Sequence, residues 1–170
     1  MKDPYLKSGR LADVIAAIQV MSSAKRPERE IKDWAHEFNR SRDPKVVAHW
    51  TSVFEDHREF FLTYRLDGEK ELKAALRLRY AFKTYDAETD KEYKPEQMQH
   101  LSREIRDRLT TRPLQGDQIE TLLNTAIGLD TRALEREAAR KWWIPLLAAT
   151  LGFAGAILGN LLSAMLGLHK

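Results

Sequence analysis

The chain contains no cysteine among its 170 residues. A disulfide framework, a thiolate metal site and a cysteine nucleophile are thereby excluded. It has no internal repeats and no low-complexity tracts. It also lacks a nucleophile elbow, a glycine-rich phosphate loop and a paired-histidine motif. Lys7-Ser8-Gly9-Arg10 carries too few glycines to cradle a phosphate. No catalytic function, cofactor or metal is therefore expected. Met1-Lys2-Asp3-Pro4-Tyr5 leads into no apolar signal core, which places the front of the chain in the cytoplasm. An excess of one charge is missing as well. Residues 1–85 hold 17 Lys/Arg and 13 Asp/Glu, and residues 86–141 hold 10 and 12. Phosphate binding needs a concentrated basic surface, so this balance weighs against nucleic acid as a partner.

Charge is absent altogether from one stretch, Trp142 to Leu168, which is 27 residues long. At about 1.5 Å per residue, such a helix outruns the roughly 30 Å hydrocarbon core of a bilayer. One tilted or kinked crossing fits, and two do not. Pro145 stands near the start, where a missing N–H is easiest to accommodate. Trp142 and Trp143 suit the headgroup layer, with Arg140 and Lys141 just before them. Arg132, Arg136, Arg140 and Lys141 precede the span, and only His169-Lys170 follows it. The positive-inside tendency then predicts a single-pass protein of the bacterial inner membrane with its N-terminal part cytoplasmic. Within the span, Gly155, Gly159, Ser163 and Gly167 recur every four residues, and Gly152 extends nearly the same face. Small residues so spaced let helices approach closely in lipid, and Asn160 adds an amide that favours a partner helix. Self-association into a homo-oligomer is the expectation.

The remainder reads as mainly α with a small β-hairpin. Leu11, Val14, Ile15, Ile18 and Met21 form one helical face. Pro27 is placed in the first turn of a second helix bearing Ile31, Trp34, Ala35 and Phe38. Asp43 caps a third helix with Pro44 in its first turn and Val46, Val47, Trp50, Val53, Phe54 and His57 as its stripe. Phe60 to Arg65 is strand-prone and Leu66 to Lys70 holds a turn signal. Leu76, Leu78, Tyr80 and Phe82 then alternate with Arg77, Arg79, Ala81 and Lys83, as in a half-buried strand. Three helices and a hairpin are the order of a winged helix, assigned to residues 1–85. Residues 86–141 form a helical connector: a polar linker from Asp86 to Lys94, a fourth helix opened by Pro95, a fifth opened by Asp117 and a last one from Asp130 or Thr131. Residues 142–168 are the transmembrane helix.

Several segments also carry a family likeness. Gly9-Arg10-Leu11-Ala12-Asp13-Val14-Ile15-Ala16-Ala17-Ile18-Gln19-Val20-Met21 is the first, and His49-Trp50 with Val53-Phe54-Glu55-Asp56-His57 and Glu59-Phe60-Phe61 is the second. Trp142-Trp143-Ile144-Pro145-Leu146 is the third. Together they resemble a small bacterial family without an assigned activity. The resemblance implies a short cytosolic domain paired with a C-terminal membrane helix.

Other constellations are weaker. A winged helix would bring its third helix to DNA, with Arg42 and Lys45 at its start and Lys70, Lys73, Arg77 and Arg79 in the wing. Glu55, Asp56 and Glu59 on the same face would repel phosphate. The Arg42-to-His49 spacing superficially resembles that of a class of helical ribonucleases, but Pro44 interrupts it. His49, Glu55, His57 and Glu59 are metal ligands by type, and the histidines stand too far apart for one helical turn. The expected role is a membrane-anchored adaptor or effector that meets an unidentified protein partner. Perturbation of the bilayer in stress or phage defence would suit that design. The alternative is a membrane-bound DNA-binding regulator.

Overall fold

A computed structural model describes residues 3–65, 70–98 and 100–167, leaving aside the side chains of 95, 103, 106–107, 154, 160–161 and 163–167. The chain forms two compact units, Met1–Asp130 and Thr131–Lys170. It is mainly helical, with short strands and one long apolar C-terminal helix.

The first unit opens with a 3-10 turn, Pro4–Leu6, and then α1, Arg10–Ser23. Gly9 enters α1 at φ +75, a conformation that a side chain would strain. Val14, Ala17, Ile18 and Met21 bury one face of α1, following the helical spacing. The strand β1, Glu28–Glu30, comes next, then α2, Ile31–Asn39, and α3, Pro44–Asp56. Pro27 thus precedes a strand and does not begin α2. Three residues of backbone pairing intervene before the helical stripe starts at Ile31. Asp43 caps α3 as the sequence suggests, its Oδ1 accepting from the Lys45 amide at 2.8 Å with Pro44 in the first turn.

Strands β2, Phe61–Tyr64, and β3, Lys73–Leu76, complete an antiparallel sheet in the order β1-β3-β2. Phe61 stands opposite Leu76, and Glu28 opposite Ala75. The turn residues Leu66 to Glu69 lie outside the described residues. The central strand presents Ala74 and Ala75, both fully buried, and their small size leaves room for large neighbours. Trp34 donates its indole N–H to the Ala74 carbonyl at 2.9 Å. An aromatic chain runs from Trp34 through Phe38, Trp50 and Phe54 to Phe61, with successive ring centroids 4.1–5.9 Å apart. It ties α2, α3 and β2 into one core. The Trp50 indole N–H finds Asn39 Oδ1 at 2.6 Å, so both tryptophan donors in this core are satisfied.

Beyond β3 the chain departs from the alternating pattern. The strand stops at Leu76, and Arg77–Ala81 forms a 3-10 turn. Tyr80 is exposed where the alternation would bury it, while Arg79 is fully buried where the alternation would expose it. The physical reason is the guanidinium. It donates to Met21 O at 2.9 Å, Ala24 O at 2.6 Å and Thr111 O at 2.6 Å. Two of these carbonyls belong to the end of α1, where unpaired acceptors and the helix dipole favour a cation.

The expected polar linker also holds structure. Strands β4, Thr84–Asp86, β5, Glu92–Tyr93, and β6, Leu109–Thr111, form a second antiparallel sheet in the order β5-β4-β6. The expected fourth helix is two short ones, α4, Pro95–Met98, and α5, Arg103–Arg108, and Leu109 begins β6. This second sheet belongs with the first in one unit. Thr110 Oγ1 donates to Lys25 O at 2.7 Å and the Leu114 amide donates to Ser22 O at 3.0 Å, both at the end of α1.

Helix α6, Gly116–Arg140, runs through Gly128 and Thr131 without a break, so the two expected helices are one. The second unit contains its last turns and α7, Trp143–Gly167. Between them the ladder tightens: the Lys141 amide donates to Ala138 O and the Ile144 amide to Lys141 O, both at 3.0 Å. Pro145 has no N–H for the Lys141 carbonyl, and Ile144 supplies the bond instead.

Replacing Arg79 with Met should leave three carbonyls unpaired and destabilise the first unit by about 3 kcal/mol or more. Arg79→Lys should recover only part of this, because one ammonium cannot match the guanidinium fork. Denaturant unfolding followed by tryptophan fluorescence measures it, and a loss under about 0.5 kcal/mol for Arg79→Met would remove the guanidinium from this role.

Candidate functional site

Two surfaces are candidates: the polar seam where the N-terminus meets α3, and the apolar helix α7. The seam is built by the helical spacing of α3, which puts Ser52 and Asp56 one turn apart. Lys7 Nζ reaches Asp56 at 2.5 Å, and Arg10 lies 3.3 Å from the same carboxylate. Ser52 accepts from Arg10 at 3.0 Å and donates to Asp56 at 2.9 Å. Below it, the fully buried His57 ring lies edge-on to Tyr5 with centroids 4.4 Å apart. His57 Nδ1 is 3.1 Å from Glu59 Oε1, which also accepts from the Tyr5 hydroxyl at 2.9 Å.

Burial works against ionisation of both carboxyls, and their partners outweigh it. Hydrogen bonds from Lys7 and Ser52, with the charges of Lys7 and Arg10, hold Asp56 below its ordinary range. Hydrogen bonds from His57, from its own amide and from Tyr5 do the same for Glu59. Burial, reinforced by the Glu59 charge, pushes the Tyr5 hydroxyl far up, so it remains a donor. The seam is therefore a fastening of the 3-10 turn and α1 onto α3. His57 Nε2 and Arg10 Nη1 have no hydrogen-bond partner among the described residues.

This seam also consumes the face of α3 that a groove would need. His49 Nε2 sits 3.0 Å from Asp13, and Ser52 and Asp56 face Lys7 and Arg10. Arg42 pairs with Asp33 at 3.0 Å, so Arg42 and His49 serve different elements and do not form a paired site. Lys45, Lys70 and Arg77 are exposed, and the Arg77 Nε donates to Arg58 O at 3.0 Å. Lys73 is half-buried in β3. Arg79 is withdrawn from the proposed wing contacts, because its donors are spent inside the core. Of His49, Glu55, His57 and Glu59, the structure brings together only His57 and Glu59, while His49 turns to Asp13. Among the described residues no group of three His, Cys, Asp or Glu side chains could hold a metal ion.

Helix α7 shows the reverse pattern, apolar and outward. Its 25 residues contain no acid or base. Among the described residues, one helix is long and apolar enough to cross a membrane; an 18-residue window there has mean hydropathy 1.6 and none of it is buried. Trp142, Trp143, Leu151 and Phe153 are each about half exposed or more, at 67%, 48%, 70% and 72%. Arg140 and Lys141 are exposed just before them. Gly152, Gly155 and Gly159 stand in open space, with nothing within 4 Å of where a Cβ would sit. Asn160, Ser163 and Gly167 continue the helix backbone, and their surroundings lie outside the described residues.

The seam went unread in the sequence because Tyr5 and Glu59 stand 54 positions apart. Only the fall of Ser52 and Asp56 on one face of α3 hinted at it. No family model, curated protein or solved structure matches this chain.

Carboxylates held below their ordinary range stabilise the fold fully above the unfolded-chain value of about 4, and that stability is lost as pH falls through the folded-state value. Asp56→Asn should lower the neutral-pH stability of the first unit by about 1 kcal/mol, since Lys7 is half exposed. The wild-type and variant melting temperatures should converge as pH falls below about 4. Parallel curves would assign the difference to something other than the Asp56 charge.

Proposed function

We propose that this protein is a membrane-anchored, self-associating adaptor or effector, single-pass in a bacterial inner membrane, with Met1–Asp130 on the cytoplasmic side. The observation that carries the reading is α7, an uncharged helix whose described side chains all face outward. A water-soluble domain seldom leaves so long an apolar surface uncovered. Lipid satisfies the side chains, and the helix satisfies its own backbone.

Self-association rests on Gly155 and Gly159, with Gly152 upstream and Ser163 and Gly167 downstream. No side chain of the same chain fills the space at the three described glycines. In lipid, where apolar contact with tails is as good as with leucine, close backbone approach is what favours helix pairing. Tethering also raises the effective concentration of the cytoplasmic unit, so weak contacts with a protein partner suffice. Assembly that perturbs the bilayer during stress or phage defence is the use we assign to this design.

A second reading is a membrane-bound winged-helix regulator of DNA. It draws on the order α1-β1-α2-α3-β2-β3 and on the sheet order β1-β3-β2, the arrangement in which α3 would enter the major groove. Against it stand the occupied face of α3 and the burial of Arg79. It requires salt-sensitive duplex binding that weakens in Lys70→Gln and Arg77→Gln.

Gly155→Ile with Gly159→Ile should abolish oligomers of the full chain in mild detergent, read by light scattering of the extracted particle. Both positions are open, so isoleucine fits the lone helix and a loss reports on the contact between copies. Oligomers of unchanged size would overturn the association. Resistance to alkaline carbonate extraction, lost when the chain is stopped after Lys141, checks the anchor separately.

A further inference from the structure

We propose that the last turns of α6 and the first residue of α7 form a docking strip for anionic phospholipid headgroups, built from Arg132, Arg136 and Arg140 with Trp143 beyond them. The inference rests on the membrane reading above and adds a lipid class to it. The three arginines are spaced four residues apart, so they share one side of the helix within about 80°, and Trp143 follows three residues after the last of them, across the tightened turn. All four side chains are exposed. The two glutamates of these turns flank the row, about 100° from Arg136 and about 60° from the nearer end arginine. Glu137 is engaged by Lys141 at 2.7 Å.

The arginines of this strip differ from several of the first unit. There, Arg29, Arg42, Arg108 and Arg112 each meet a carboxylate. Arg132, Arg136 and Arg140 meet none among the described residues. Like charges at i and i+4 repel and weaken a helix, so this row costs stability unless an anion neutralises it. A planar guanidinium suits a phosphodiester, which it can bind with two parallel N–H donors.

Position selects lipid as the source of that phosphate. Along the axis, Arg140 lies about 5 Å, Arg136 about 10 Å and Arg132 about 16 Å before Trp143. The headgroup layer is roughly 5–8 Å deep on each side, and screening at physiological salt acts over about 8 Å. With the length of an arginine side chain added, Arg140 and Arg136 reach the headgroups, and Arg132 reaches their field. Trp143, the apolar end of the strip, belongs at the same boundary.

The test uses the full chain in phosphatidylcholine vesicles containing brominated phosphatidylglycerol or brominated phosphatidylcholine at equal mole fraction. Bromine quenches Trp142 and Trp143 on contact, whereas Trp34 and Trp50 are buried in the first unit and supply a constant background. Phosphatidylglycerol should quench more strongly, by an enrichment of roughly fivefold for each arginine within reach, and the excess should shrink as salt is raised. Arg132→Gln, Arg136→Gln and Arg140→Gln together should make the two lipids equal. Lys25→Gln, Arg26→Gln and Arg65→Gln, which remove the same charge elsewhere, should leave the excess intact. Equal quenching in the wild type, or an excess that survives the triple arginine change, overturns the strip while the anchor stands. No quenching by either lipid overturns the membrane reading, and the strip with it.

Discussion

One fully buried cation, Arg79, organises the first unit. Arg79 donates to Met21 O, Ala24 O and Thr111 O, and among the described residues no carboxylate pairs with it. A charge removed from water without hydrogen bonds would cost several kcal/mol or more. Here the cost is offset by carbonyls that would themselves be unsatisfied, two at the end of α1 and one at the edge strand β6. Each side resolves the other's deficit. The same guanidinium ends β3, because residue 79 must turn inward and the chain leaves the extended path at Leu76. The second sheet then has a fixed place beside α1, held further by Thr110 and Leu114.

The polar seam works by the same logic on the opposite end of α1. Gly9 admits the chain into α1 at positive φ, and Lys7 and Arg10, on either side of it, both reach Asp56. Asp56 is thereby more than a solvated acid at the end of α3. Fastening both ends of α1, one by an inward arginine and one by an ion-paired aspartate, presses its apolar face onto β3. It also explains why α3 offers little to a partner of its own. Its apolar side closes the aromatic core and its polar side closes the seam. Any partner of this unit has to be met elsewhere than along the middle of α3.

What the sequence revealed follows from how local each determinant is. The cap and first turn of α3, the stripe of α1 and the β2 strand depend on neighbours within a turn or two, and periodicity exposes them. The first strand of the hairpin was legible, but its second lies at Lys73–Leu76 and not over Leu76 to Lys83, and β1 was missed: Glu28-Arg29-Glu30 has no strand-forming side chain, and it pairs because β3 offers an open edge. Alternation misled at Arg77 to Phe82, since period two cannot tell an outward arginine from one needed inside. The second sheet was hidden for the same reason. Its strands are two or three residues long, and their partners lie far along the chain. The candidate sites divide likewise. Gly155 and Gly159 could be found by spacing alone, whereas the seam joins Tyr5 to Glu59 across the whole of α1, α2 and α3.

The apolar helix was the most legible element because lipid imposes a requirement that needs no tertiary partner. Length and absence of charge are sufficient to state it. The same simplicity separates what α7 needs from what it can do. Its leucines, isoleucines and aromatics are satisfied by any hydrocarbon, so they set depth and leave the identity of neighbouring helices open. The glycines do the opposite. They add almost nothing to insertion, and their value arises only when another backbone occupies the space that they leave. On the proposed reading, anchoring and association are carried by different residues on one helix. A substitution at Gly155 or Gly159 would then remove the second while leaving the first whole.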